Sequence, residues 1–179
     1  FEVVEFTAKH NANTTIYTSG NVAEFQKKAN SLHSLGATRF IFSLFGSIPT
    51  IHEHVTRISG SFDNTKSAIH VAQEIGLAIE IHFVPMVHNY RDFENLAECA
   101  RQNFGNINIS VLRLVPQGRA TLLDNLILNR IQNLELRHQI KKLRKDGYKI
   151  RTGSPYNFLM LNDNPACFAA VDRLIIGPD

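Results

Sequence analysis

Cysteine is scarce in this chain. Cys99 and Cys167 are the only two in 179 residues, too few for a disulfide scaffold, so a reducing cytoplasm is the expected compartment. No apolar run approaches the roughly 18 residues that would suggest a membrane span, and no membrane partner is expected. A signal-peptide pattern is also missing. The chain opens on Phe1 rather than methionine, which suggests an excised piece or a numbering that begins inside a longer protein. Charge of one sign is weak, at a net +3. The basic run Lys141, Lys142, Arg144 and Lys145 falls in the last turns of a long helical pattern, where cations suit the helix dipole. No aromatics interleave it as a stacking platform, so a solvated helix end is expected and nucleic acid is not a partner. Neither a G-x-S-x-G elbow nor a phosphate loop is present.

What the chain does have is a repeated junction. Four helical stretches end in a glycine and pass at once into a β-rich run, at Gly36, Gly76, Gly105 and Gly147. Glycine just past a helix takes the left-handed conformation that other residues resist. Parallel strands with helical crossovers alternate in this way, and antiparallel hairpins do not. The expected class is therefore α/β, and its ligand site belongs at the carboxyl ends of the strands. With 44% hydrophobic and 20% charged residues, the chain suits one domain with one core.

The pattern predicts a weak helical tail over residues 1–10 and a β-branched strand over 14–18. Asn21 is expected to cap the next helix with Glu24 in a capping-box-like pair, its apolar face being Val22, Phe25, Ala29 and Leu32. A strand over 39–45 follows, then a longer connection over 47–60 and a helix over 62–75. The strand over 77–84 ends at Pro85 for want of an amide donor. Asn89 or Asp92 is expected to cap the helix that presents Phe93, Leu96, Ala97, Ala100 and Phe104. A strand over 107–115 meets Pro116. The longest helix is predicted over 122–146, with Leu123, Leu126, Ile127, Ile131, Leu134, Ile140 and Leu143 as one stripe. A short strand follows Gly147, and a Gly/Ser/Pro/Asn-rich connection leads to Leu174-Ile175-Ile176. About four such units are too few for an eight-stranded barrel of about 250 residues. The alternatives are a small open sheet and one side of a larger barrel, whose open edges would invite self-association. The histidines His52, His54, His82 and His88 have no specific metal-ligand spacing, and solvated loop positions are expected for His52 and His54.

Read in order, the strand ends carry a family resemblance. Ile16-Tyr17-Thr18-Ser19-Gly20-Asn21, Phe42-Ser43-Leu44-Phe45-Gly46 and residues 51–62 resemble the third-strand end, the fourth-strand end and the loop before the fourth helix of radical S-adenosylmethionine (SAM) enzymes. Phe83-Val84-Pro85-Met86-Val87-His88-Asn89 and Leu112-Arg113-Leu114-Val115-Pro116-Gln117-Gly118-Arg119-Ala120 resemble their fifth and sixth strand ends. Cys167-Phe168-Ala169-Ala170, with Leu174-Ile175-Ile176-Gly177-Pro178-Asp179, is similar to the entry of the auxiliary-cluster extension of the SPASM or twitch subgroup. The resemblance runs from Ile16 to the end. It implies the second half of a partial TIM barrel over 1–153 and a connection into that extension over 154–179.

The same resemblance implies a parent enzyme in which a 4Fe–4S cluster reduces SAM to yield a 5′-deoxyadenosyl radical for hydrogen abstraction, with a peptide or small-molecule substrate. The C-x-x-x-C-x-x-C loop that would hold this cluster is not in this sequence, nor is a Gly-Gly-Glu motif before Ile16. Both are expected upstream of Phe1, so this chain alone is expected to be inactive and to bind part of SAM or no cofactor. By the resemblance, Thr18 and Ser43 would approach the SAM ribose or carboxylate, Arg57 the carboxylate, and Leu114 and Val115 the adenine. Asn89 would line the substrate side, Arg119 would contact substrate or carboxylate, and Cys167 would ligate an auxiliary cluster. Ser19 and Ala170 depart from the residues usual at their positions. Two other readings stay open: a degenerate α/β scaffold or binding module, and a small-molecule or phosphate-binding TIM-like enzyme.

Overall fold

The computed structural model describes residues 1–115, 123 and 125–152. Along it run α1 (Glu2–Lys9), β1 (Thr14–Thr18), α2 (Phe25–Ser34), β2 (Ala37–Ser43), α3 (Pro49–Thr56), α4 (Ser61–Glu74), β3 (Ala78–Phe83), a 3₁₀ turn (Tyr90–Asp92), α5 (Phe93–Phe104), β4 (Asn108–Val111), α6 (Arg130–Lys145) and β5 (Ile150–Thr152). The strands form one sheet in the order β1-β2-β3-β4-β5, every pair parallel. This is the expected α/β architecture, a partial (βα) barrel. Gly36 shows why the junctions are glycines: its φ is +106°, and a Cβ there would lie 2.5 Å from that of Ala8.

Strand alternation sorts the side chains onto two faces. Phe40 and Phe42 of β2 meet the Phe25 ring of α2, and Phe83 of β3 stacks on Phe93 of α5. With Ile81, Ile109 and Val111 they build the core between sheet and helices. The residues between them in sequence, Arg39, Ile41, Ser43, Glu80, His82, Ser110 and Arg151, share the opposite, open face.

Several local expectations are corrected. The helix expected to start at Asn21 starts at Phe25, with Glu24 left-handed at its N-cap (φ 54°). Asn21 instead accepts a hydrogen bond from Asn64 Nδ2 (2.8 Å), and Val22 is exposed. The connection over 47–60 holds α3, whose first residue is Pro49, a position where the missing amide costs nothing. The helix predicted from residue 122 begins at Arg130, because Asn129 and Gln132 form a reciprocal capping box. Its stripe holds in part: Ile140 and Leu143 face the core as expected, joined by Leu136, whereas Ile131 and Leu134 are 68% and 52% exposed. The predicted strand over 107–115 is shortened to Asn108–Val111, and the segment over 154–179 lies outside the described residues.

Candidate functional site

At the carboxyl ends of the strands, four open-face side chains stand in one register: Ser43 opposite His82, His82 opposite Ser110, and Ser110 opposite Arg151. A hydroxyl, an imidazole, a second hydroxyl and a guanidinium thus cross four strands as a polar ledge. Ser43 has no hydrogen-bond partner among the described residues, so its hydroxyl remains available.

One register step below lies Glu80, only 4% exposed. Ser110 Oγ donates to its Oε1 at 2.5 Å, and His82 Nε2 is 3.4 Å from the same oxygen. Arg39 Nη1 and Arg151 Nη1 approach Oε2 at 3.8 and 3.7 Å. Burial alone would raise the Glu80 carboxyl. The hydrogen bonds of His82 and Ser110 and the Arg151 charge outweigh it and hold the group below its usual value. The Tyr17 ring closes one side, edge-on to His82 at 5.5 Å.

The loop after β2 is fastened by three side chains, one on α3 and two at the 3₁₀ turn. Phe45 N–H donates to His52 Nδ1 on α3 (3.2 Å). Asn89 Nδ2 donates to the Phe45 carbonyl (3.0 Å) and the Val84 carbonyl (3.2 Å), while its Oδ1 accepts from Met86 N–H (2.7 Å). Ser47 donates through N–H (2.6 Å) and hydroxyl (2.8 Å) to the Asp92 carboxylate. Gly46 completes the fit, since a Cβ there would stand 2.5 Å from Ile51 Cγ2. Ser43 is thereby carried on a strand end whose exit is fixed, as a preorganised site requires.

The expected site residues are distributed unevenly over this frame. Ser43 lies on the ledge. Thr18 does not face it: its Oγ1 accepts from Gly20 N–H at 3.0 Å, and alternation puts it on the helix side with Phe42. Arg57 is exposed, left-handed at the C-cap of α3 (φ 60°), with no hydrogen bond or ion pair to Ser43. Asn89 is buried with its side-chain amide spent inside the protein, so it ties two strand ends together rather than caps a helix or lines a surface. Asp92 has the N-cap position of α5 but makes no cap hydrogen bond, its carboxylate serving Ser47. His52, expected in solvent, is 1% exposed between the Phe45 and Phe62 rings. Leu114, with Arg113 and Pro85, lines a cleft of about 300 Å³ beyond the ends of β3 and β4, and Val115 is exposed. Arg119 and Cys167 lie outside the described residues.

Sequence reasoning passed over Glu80, Arg39, Ser110 and Arg151. Their signal was available: polar residues alternate with the core residues of their strands, in Arg39-Phe40-Ile41-Phe42-Ser43 and in Glu80-Ile81-His82.

A bound SAM would suit the ledge in one respect, a free hydroxyl on a fixed strand end. A 4Fe–4S cluster does not suit the described residues. Cys99 is their one cysteine, burial pushes its thiol up, and no three His, Cys, Asp or Glu side chains among them converge. No described helix is long and apolar enough to cross a membrane.

No protein-family model matches this chain, and no curated protein does. Solved structures match it in fold. Streptococcus suis SuiB bound to precursor peptide SuiA superposes with a TM-score of 0.68 at 13% identity, over 86% of this chain and 34% of that one. SuiB without a named ligand gives 0.66 at 13%, over 88% and 36%. SuiB bound to S-adenosylmethionine gives 0.66 at 14%, over 98% and 39%. The chain spans less than two fifths of SuiB's length. What is shared is the fold, a parallel-stranded partial (βα) barrel.

Proposed function

We propose that this chain is the carboxyl-terminal part of a radical SAM enzyme's barrel and forms one wall of its SAM and substrate site. The carrying observation is the match of 98% of the chain to SAM-bound SuiB. SAM, when bound, supplies the group that abstracts hydrogen from the substrate. In this reading Ser43 donates its hydroxyl to the ribose or carboxylate of SAM. Leu114 and Val115 shield the adenine, and Arg57 and Arg119 offer guanidinium forks to carboxylates. Thr18 would serve only through the backbone turn that its hydroxyl holds. Asn89, with His52 and Asp92, keeps the strand exits rigid so that Ser43 is presented without reorganisation. Cys167 would ligate an auxiliary cluster of the SPASM or twitch kind. The substrate is a peptide, by extension from SuiB, whose structure holds precursor peptide SuiA.

Calorimetric titration with SAM tests the binding half. Saturable binding is expected, weakened about five- to ten-fold by Ser43→Ala, the worth of one hydrogen bond. The complete gene product, reconstituted anaerobically with iron and sulfide, should form 5′-deoxyadenosine only when a reductant is added. A folded chain that takes up no SAM would return the protein to the scaffold reading. Binding of inorganic phosphate in its place would favour the phosphate-site enzyme.

A further inference from the structure

Glu80 needs one cation to offset its buried charge, and two face it. Arg39 and Arg151 reach across from strands on either side, each through one Nη1 at 3.8 and 3.7 Å from the same oxygen. Neither forms a two-pronged pair with the carboxylate, which would use two nitrogens at shorter range. Their side chains are 45% and 55% exposed, against 5% for that of Glu80. No other bond of either guanidinium is present among the described residues. Among the described residues, the open face therefore hides its one carboxylate and shows solvent two guanidiniums with most donors unused. Since both Nη1 atoms converge on one oxygen, a single incoming carboxylate can engage both forks. Arg151 belongs to the ledge itself, and Arg39 precedes Ser43 on the same face of β2.

We propose that Arg39 and Arg151 form a subsite for a carboxylate of the peptide substrate, held in place by Glu80. The subsite rests on the radical SAM reading for its substrate class and on the open-face geometry for its charge. Glu80 acts as a positioning residue: it draws two arginines from β2 and β5 to one point, and Ser110 and His82 fix its own orientation. Arginine is the apt residue here, because its planar fork matches a carboxylate where lysine offers a point charge.

Fluorescence anisotropy with the full chain tests this, using a labelled Gly-Ser-Glu-Gly-Glu-Ser-Gly peptide and its Gln-for-Glu counterpart. The glutamate peptide should bind about ten-fold more tightly than the glutamine one. Arg39→Gln should erase most of that preference while leaving SAM affinity unchanged, and Arg151→Gln should erase most of it as well. Arg39→Lys and Arg151→Lys should keep part of it, and they decide the matter should either glutamine variant melt early. Equal binding of the two peptides by the unaltered chain would overturn the proposal. So would arginine variants that lose SAM affinity but keep the peptide preference, since the forks would then serve the SAM carboxylate. Preference for the acidic peptide in a chain that binds no SAM would overturn the radical SAM reading and leave the subsite standing.

Discussion

The imidazole of His52 lies between two phenylalanine rings, with Nδ1 accepting from Phe45 N–H. That bond puts its ring proton on Nε2, which has no hydrogen-bond partner among the described residues. Burial is the larger effect and holds its pKa below the usual 6.5, against the opposing pull of Glu53. The unfolded chain then binds a proton that the folded one resists. The stability from a neutral His52 is complete above the unfolded value of about 6.5 and lost as pH falls through the folded pKa. Urea unfolding should show a decline that starts just below neutrality, and His52→Gln, which keeps an acceptor but does not titrate, should flatten it. An unchanged slope in that variant would show that another group carries the effect. Glu80, whose pKa is also lowered, acts in a separate and more acidic window, below its usual 4.5. Neither environment was legible from one residue's neighbours in sequence, since His52 meets Phe62 and Glu80 meets Arg151 only after folding.

Elements were read well where a periodic core and a glycine stop agreed, as in α5, whose predicted residues Phe93, Leu96, Ala97, Ala100 and Phe104 are all buried. They were read poorly where a cap outranked periodicity. The apolar residues before Asn129 continue a helical spacing, yet the helix starts at Arg130 because Asn129 Oδ1 accepts from Gln132 N–H (3.0 Å) and Gln132 Oε1 accepts from Asn129 N–H (2.9 Å). α3 was missed for the opposite reason: its eight residues are too few to show a period, and its start is marked only by Pro49. The capping box makes a direct prediction. Asn129→Ala should lower stability by about 1 kcal/mol in chemical unfolding, and Asn129→Asp should retain most of it. A null effect of the alanine variant would mean that the packing of Leu136, Ile140 and Leu143 alone defines the start of α6.

At the scale of the whole molecule, the parallel pairing of the strands followed from the glycine junctions, whereas their order and the open face did not. A complete barrel leaves no strand edge, but β1 has a single strand neighbour among the described residues, β2. Beside that edge, Tyr17 is 67% exposed, and Val3 and Phe6 of α1 are exposed as well. α1 is fastened to β1 through the Thr7–Thr14 hydroxyl pair at 2.5 Å, so strand edge and apolar residues belong to one rigid region. An unpaired strand edge with apolar neighbours is a template for pairing with a second chain. Sedimentation velocity across the micromolar range should therefore show reversible, concentration-dependent association. Charges on an edge are the natural means of blocking such pairing, so Phe6→Lys with Tyr17→Lys should shift the chain to monomer without lowering its melting temperature. A chain that sediments as a monomer at every concentration would mean that the β1 edge is already covered within its own fold. Association that survives both lysines would move the contact to the other apolar surface, where Ile131 and Leu134 of α6 stand exposed.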